Sequence, residues 1–240
     1  MHPLDRLSVD DLVACSSAFK DLGRGAGSME AAGQAIVEYL RRELVDGEGR
    51  PACALVRFYR TLRFRDLPDE LRDFAGAVED DRTRCLTLLG TAGEAPAWND
   101  RRRSDAHAAI PLVDEEVVAA SPMIAGLIDQ LGVDVAAVVG PPSRDPGRAN
   151  LHHRDYDVFF VPEAAGSPMV PAQDDFVVRH GIRSVVGCGG ILPSGDLFAL
   201  ILFTKVTLSP ETAALFRTLA LSVKAAIVPF TFEPFSSAGS

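Results

Sequence analysis

The chain has 240 residues, 47% of them apolar, and carries 33 acidic against 24 basic side chains for a net charge of −9. That apolar share suffices for a substantial core and rules out a disordered chain. The acidic balance argues against a general nucleic-acid or anionic-membrane binder, because phosphates repel an acidic surface. The basic residues are nearly all arginine, with lysine only at positions 20, 205 and 224, a bias of GC-rich bacterial codon usage.

Two helices are predicted first. Leu12, Cys15, Phe19 and Leu22 recur at helical steps, and Met29, Ala32, Ile36, Leu40 and Leu44 do so after a break at Gly23 to Gly27. The glycines superficially resemble a phosphate loop, but they follow a helix and lack the Lys-Ser/Thr ending, so they read as an interhelical hinge. Ser28 suits a cap for the second helix, which Asp46-Gly47 ends. Strand one follows at Ala52 to Arg60, a helix at Glu70 to Val78, and strand two at Arg84 to Gly90. Ala92 to Arg103 is a loop holding Trp98, the single tryptophan. His107 to Leu112 reads as a short strand, Glu115 to Leu131 as a helix broken near Ser121-Pro122, and Val133 to Gly140 as a further strand. Gly140 to Gly147 is rich in Pro and Gly and reads as a lid.

The last third is the most legible. Asp157 to Pro162 forms a short apolar strand, Pro171 to His180 a polar helical segment, and Ile182 to Leu192 and Leu197 to Val206 two strands around the turn Pro193-Ser194-Gly195-Asp196. A helix from Pro210 to Val228 follows, with Ser209 as cap, Pro210 at its first position and Glu211 at the positive end of its dipole. Leu197, Ala199, Ile201 and Phe203 occupy one face of their strand and Phe198, Leu200, Leu202 and Thr204 the other, so both faces are covered. One face must meet helices; the other must meet loops, a ligand or a partner.

Val158 to Ala164, Gly181 to Val185, Leu192 to Leu197 and the helix Glu211 to Ile227 together resemble the C-terminal half of a GAF domain. More narrowly, the chain is similar to N-terminal sensor regions of bacterial histidine kinases and related signalling regulators. The resemblance implies an α+β sandwich: an antiparallel sheet of about six strands, a helical layer on one face and a loop-covered pocket on the other. The expected organisation is a single sensory domain over residues 1–235 with a tail at 236–240 that is linker-like by composition; opening helices and that short end suggest the N-terminal sensor of a longer protein.

Four clusters invite chemistry. His153, Asp155 and Asp157 share one face if their segment is extended and could hold a divalent metal, against the plainer reading of a polar loop. Trp98, Arg101 to Arg103 and His107 suit an anionic or aromatic ligand, or else Trp98 plugs the core and the arginines pair with surface acids. Cys188, among glycines inside a strand, lacks the exposed turn and nearby base that a catalytic thiol needs. Cys15, Cys53, Cys85 and Cys188 form no C-x-x-C pair and read as buried hydrophobes in a reducing cytoplasm. The N-terminus lacks a targeting pattern, and no run is apolar over the length a membrane helix needs.

The expectation is therefore a non-catalytic, cytoplasmic sensory module that binds an unknown small molecule or partner and signals through its terminal helices. The expected ligand contacts are Phe58, Trp98, His107, Phe159, Arg183, Cys188 and Phe198. No catalytic residue, metal ligand or cofactor is assigned. Expected partners are a second copy through the terminal helices and a downstream effector such as a histidine kinase, with no nucleic acid and no membrane. The alternatives are a small hydrolase or reductase using His152, His153 or Cys188, and a structural dimerisation module with a pocket packed shut.

Overall fold

In the computed structural model the described residues are 1–104, 107–139 and 158–236. A short strand β1 (His2–Pro3) precedes α1 (Val9–Arg24), where Ser8 Oγ accepts from Asp11 N and Asp11 Oδ2 accepts from Ser8 N at 2.9 Å, a reciprocal cap. Helix α2 (Met29–Glu43) begins at Ser28, whose Oγ accepts from Ala31 N at 3.0 Å, and runs into β2 (Leu44–Val45), the parallel partner of β1. Strand β3 (Cys53–Arg63), helix α3 (Asp69–Ala75), strand β4 (Arg84–Gly93) and strand β5 (Ala109–Leu112) follow. Helices α4 (Glu115–Ala119) and α5 (Pro122–Gln130) split at Ser121-Pro122 as the sequence predicts, because proline opens the second helix and cannot continue the first.

Residues 135–139 differ from expectation. They form helix α6 (Val135–Val139) and not a strand. Asp134 Oδ1 accepts from Ala136 N at 3.0 Å, a local bond that favours a helical start, and a short apolar run cannot by itself distinguish the two periods. After β6 (Val158–Val161) comes a π-helical turn at Gln173–Val178, then β7 (Ser184–Ile191), β8 (Leu197–Thr204) and α7 (Pro210–Ile227), with Ser209 Oγ accepting from Thr212 N.

Six strands form one sheet in the order β5-β4-β3-β8-β7-β6, every neighbouring pair antiparallel. Helices α2 and α7 pack on one face, α2 over β3 and β4 and α7 over β6 and β7, with α1 against α7. The other face carries a second buried cluster beneath α4, α5, α6 and the loops around Val170 and Val177. This is a GAF-like α+β fold, with short helices as well as loops in the cover.

One stretch, Pro210–Phe230, is long and apolar enough to cross a membrane, with a mean hydropathy of 1.5 over its best window, contrary to the expectation that none exists. Its Phe216, Leu219, Val223 and Ile227 are fully buried against the helix side of the sheet, as in a core helix.

Glycine sets the distance between layers at one point. A Cβ on Gly90 would lie 2.8 Å from Gly33 C and 2.9 Å from Gln34 N, so α2 rests on β4 backbone to backbone. Two hydrogen bonds pin that contact, Gln34 Nε2 to Thr91 O and Thr91 N to Gln34 Oε1, each 3.0 Å. After α7 the chain returns as a strap across the start of α2, where Glu233 O accepts from Met29 N and Pro234 O from Glu30 N, both at 2.9 Å. Those amides are among the four that a helix start leaves unpaired.

Candidate functional site

The register of β3 decides which side chains reach the covered face. Cys53, Val56, Phe58 and Leu62 join the cluster under the helices, whereas Leu55 and Tyr59 join the cluster under the loops. On β8, Phe198, Leu200 and Leu202 face the helices and Leu197, Ala199, Ile201 and Phe203 face the cover. Between that face and the cover lies a chamber of about 510 Å³, within the range of small-molecule sites. Leu55, Arg57, Tyr59, Leu86, Ile201 and Phe203 form its floor, and Trp98, Met123, Ile124 and Phe176 are among its walls. A chamber of this volume contradicts the reading of a pocket packed shut.

Trp98 is held from three sides. Thr91 Oγ1 donates to Trp98 O at 2.9 Å, Asn99 brackets Gly93 through Gly93 N to Oδ1 at 3.0 Å and Nδ2 to Gly93 O at 3.1 Å, and Gly93 leaves room for the indole. Phe176 meets the indole edge-on at 5.6 Å between ring centres, and His180 covers it from outside at 4.6 Å. His180 Nδ1 lies 3.4 Å from Glu94 Oε2, and Glu94 also pairs with Lys205.

The polar part of the chamber centres on Arg57. Its Nη1 donates to Tyr59 Oη and its Nη2 to Ser104 Oγ, both at 3.1 Å. His107 stands at the chamber edge, and desolvation, followed by the charge of Arg57, lowers its imidazole below the usual value and so favours the neutral form. His107 and Ala172 are the two non-glycine residues with positive φ among the described residues, at 62° and 56°, and both line the chamber. Strained backbone at one cavity, together with a π-helical turn in its wall, is the pattern of a site shaped for something other than stability.

The sequence-predicted contacts separate on the structure. Trp98 and His107 line the chamber. Phe159 is buried on the covered side but packs over Gly187, behind the cavity. Arg183 lies on a separate shallow groove with Glu163, Val178 and Thr207. Phe58, Cys188 and Phe198 face the helical layer and are corrected: their strands are apolar on both faces, so alternation does not reveal the facing, and the structure turns them away from the chamber. Arg57 and Tyr59 were missed. Arginine in the middle of an apolar strand was the available signal, because a buried guanidinium needs a polar site to face.

The cysteine readings hold in placement. All four thiols are free and buried. Burial pushes Cys15 and Cys85 up to about 11 and Cys53 and Cys188 up to about 12. Cys188 therefore has neither the access nor the thiolate character of a nucleophile. His152, His153, Asp155, Asp157 and the lid at 140–147 lie outside the described residues. Among the described residues no group of three or more His, Cys, Asp or Glu is arranged to hold a metal ion.

No family model matches this chain, and no curated protein does. Among solved structures it is similar to the free methionine-R-sulfoxide reductase of Neisseria meningitidis in complex with its substrate, at 14% identity and a TM-score of 0.49, covering 96% of both chains. It is also similar to the GAF domain of a phosphoenolpyruvate-protein phosphotransferase from Coxiella burnetii, at 14% identity and a TM-score of 0.46, covering 91% of this chain and 93% of that one. A type II free methionine-R-sulfoxide reductase from Thermoplasma acidophilum shares 13% identity with a TM-score of 0.42, over 82% of this chain and 91% of that one. Two of these three are enzymes, which overturns the expectation that a chain of this kind is non-catalytic. No residue role passes across at such identities. What sequence pattern, sheet order and layering establish is a GAF-like fold enclosing an apolar chamber with an arginine in its floor.

Proposed function

We propose that this chain is a ligand-binding regulatory module, one unit over residues 1–235, that takes a small and largely apolar molecule into the chamber above β3 and β8. The observation that carries the proposal is the chamber itself, about 510 Å³ of mainly apolar wall bounded by two residues in strained backbone. Burial of apolar ligand surface supplies the affinity, at roughly 25 cal/mol per Å² before the cost of ordering ligand and loops.

A route outward supports a signalling role. The loop that holds Trp98 continues into Arg101, which is buried, pairs with Glu30 and lies 5.4 Å over the ring of Phe235. Glu30 Oε2 accepts from Ser236 N at 3.2 Å, and Arg60 Nη2 donates to Thr231 O at 2.8 Å. The C-terminal strap is thus held by Arg60 and Arg101, the second of which continues the loop that carries Trp98 in the chamber wall. A ligand that favours one position of Trp98 biases the strap by population shift. Exposed Val9, Val13 and Leu221 on the helical layer support pairing of two copies through α1 and α7, with a downstream effector as the recipient of the signal. Light scattering tests the pairing: about twice 25.7 kDa is expected, and a stable monomer at micromolar concentration removes it.

Trp98 is the single tryptophan and therefore a built-in reporter. Screening a small-molecule library for saturable changes in its emission, with thermal shift as a second readout, tests the binding reading. Hits that move both are expected, and a library without any would refute it.

A further inference from the structure

We infer that the chamber takes an uncharged molecule with an apolar body and a carbonyl oxygen, which accepts a hydrogen bond from the Tyr59 hydroxyl; the inference rests on the ligand-binding reading above. Tyr59 lies in the chamber floor and is 5% exposed. Its oxygen accepts from Arg57 Nη1 at 3.1 Å, and because a guanidinium only donates, the phenolic proton takes no part in that bond. Among the described residues nothing accepts that proton. A buried donor without an acceptor costs about 1–3 kcal/mol, so a native structure that keeps one has a use for it. Here the hydroxyl stands in the wall of a cavity with room for a guest, and an oxygen carried by that guest supplies the acceptor.

Arg57 makes no such demand. Its Nη1 is committed to Tyr59 and its Nη2 to Ser104, so the donor that calls for an oxygen is a neutral one. An ionised guest would give up its water against walls such as Leu86, Ile110, Met123, Ile124 and Leu127. One neutral hydrogen bond, worth about 0.5–1.5 kcal/mol net, does not offset the cost of burying a charge there. A carbonyl oxygen brings lone pairs and no proton of its own, whereas a hydroxyl brings a further donor that must itself be satisfied in an apolar chamber. Trp98 points the same way. It also lines the chamber, and its indole N–H is a second donor without an acceptor among the described residues, although Phe176 and His180 hold the ring in place.

The test uses the whole chain and three probes built on one carbon frame, titrated at pH 7.5 by calorimetry and Trp98 emission. They are 4-phenyl-2-butanone, butylbenzene, which lacks the oxygen, and 3-phenylpropanoate, which has a carboxylate in place of the methyl ketone. Tyr59→Phe keeps the ring and removes the donor. It should weaken the ketone about fivefold and leave butylbenzene within twofold, which also shows that the variant is folded. The carboxylate should bind the parent protein at least tenfold more weakly than the ketone. Infrared spectra of the ketone, labelled with carbon-13 at its carbonyl, decide the matter if Tyr59→Phe does not fold: in the parent protein the bound stretch should lie below its position in hexane. Equal losses of ketone and hydrocarbon in the folded variant, a bound stretch at the hexane position, or a carboxylate as tight as the ketone would each overturn the inference and leave the chamber reading standing. If none of the three probes binds, the chamber reading falls and this inference with it.

Discussion

Replacing Gly90 by alanine probes the contact that separates the helical face of the sheet from the chamber face. The added Cβ would sit 2.8 Å from Gly33 C and 2.9 Å from both Gln34 N and Gly33 O, all backbone atoms that cannot rotate aside. Ordinary contact begins near 3.4 Å, so α2 must retreat by about 0.6 Å at that point. Overpacking of this kind costs about 1–3 kcal/mol. Retreat also stretches the paired Gln34–Thr91 hydrogen bonds, each worth about 0.5–1.5 kcal/mol when lost outright. A destabilisation of about 2–4 kcal/mol follows. For a chain of this size each kcal/mol lowers Tm by about 2–4 °C, so the midpoint should fall by roughly 4–16 °C. Calorimetry, with urea unfolding as a cross-check, reads this directly. Gly47→Ala is the control, since its Cβ would meet nothing within 4 Å, and it should melt with the parent protein. If Gly90→Ala melts together with Gly47→Ala, β4 does not present Gly90 to α2 and the facing of the whole sheet is misread.

The thiols give a second check: Ellman's reagent at pH 8 should leave the native protein unlabelled and count four thiols after unfolding, and rapid labelling of Cys188 would contradict its burial. Because the folded imidazole of His107 titrates below 6.5, the unfolded chain binds more protons as pH falls through 6.5, so stability should decline on acidification from there. His107→Asn, which tolerates the positive φ, should flatten that slope, and an unchanged slope would remove His107 as its source. Ala172→Gly relieves a φ of 56° and should stabilise by up to about 1 kcal/mol, net of the backbone entropy glycine loses. A loss exceeding 1 kcal/mol in urea unfolding would show that the methyl group packs more than it strains.

Sheet, layers and most element boundaries were readable because their signals are local. Ser8, Ser28 and Ser209 precede apolar periodic runs, and all three cap helices. Pro122 breaks a run and begins a new helix. The facing of the central strands was not readable in the same way. Phe198 and Phe203 are equally apolar residues of β8, yet the first is under helices and the second under the chamber cover. Pattern alone cannot choose between them, since no polar residue marks a solvent side. Arg57 could have broken the tie on β3, because its partners Ile201 on β8 and Thr91 on β4 fix which neighbours share its row. Leu89 complicates that row: the register between β3 and β4 shifts between Phe58 and Tyr59, a bulge that simple alternation does not anticipate. The strap across α2 was invisible because it depends on contacts between residues some 200 positions apart, such as Ser28 with Ser236.

Nuclear Overhauser contacts between methyl-labelled protein and a bound small molecule found by the Trp98 emission screen test the site most directly. Contacts to Leu55, Leu86, Ile110 and Ile201, on the covered side of the sheet, are predicted. Contacts instead to Val186, Leu200 and Leu202, beneath the helices, would place the ligand on the wrong face and contradict the account.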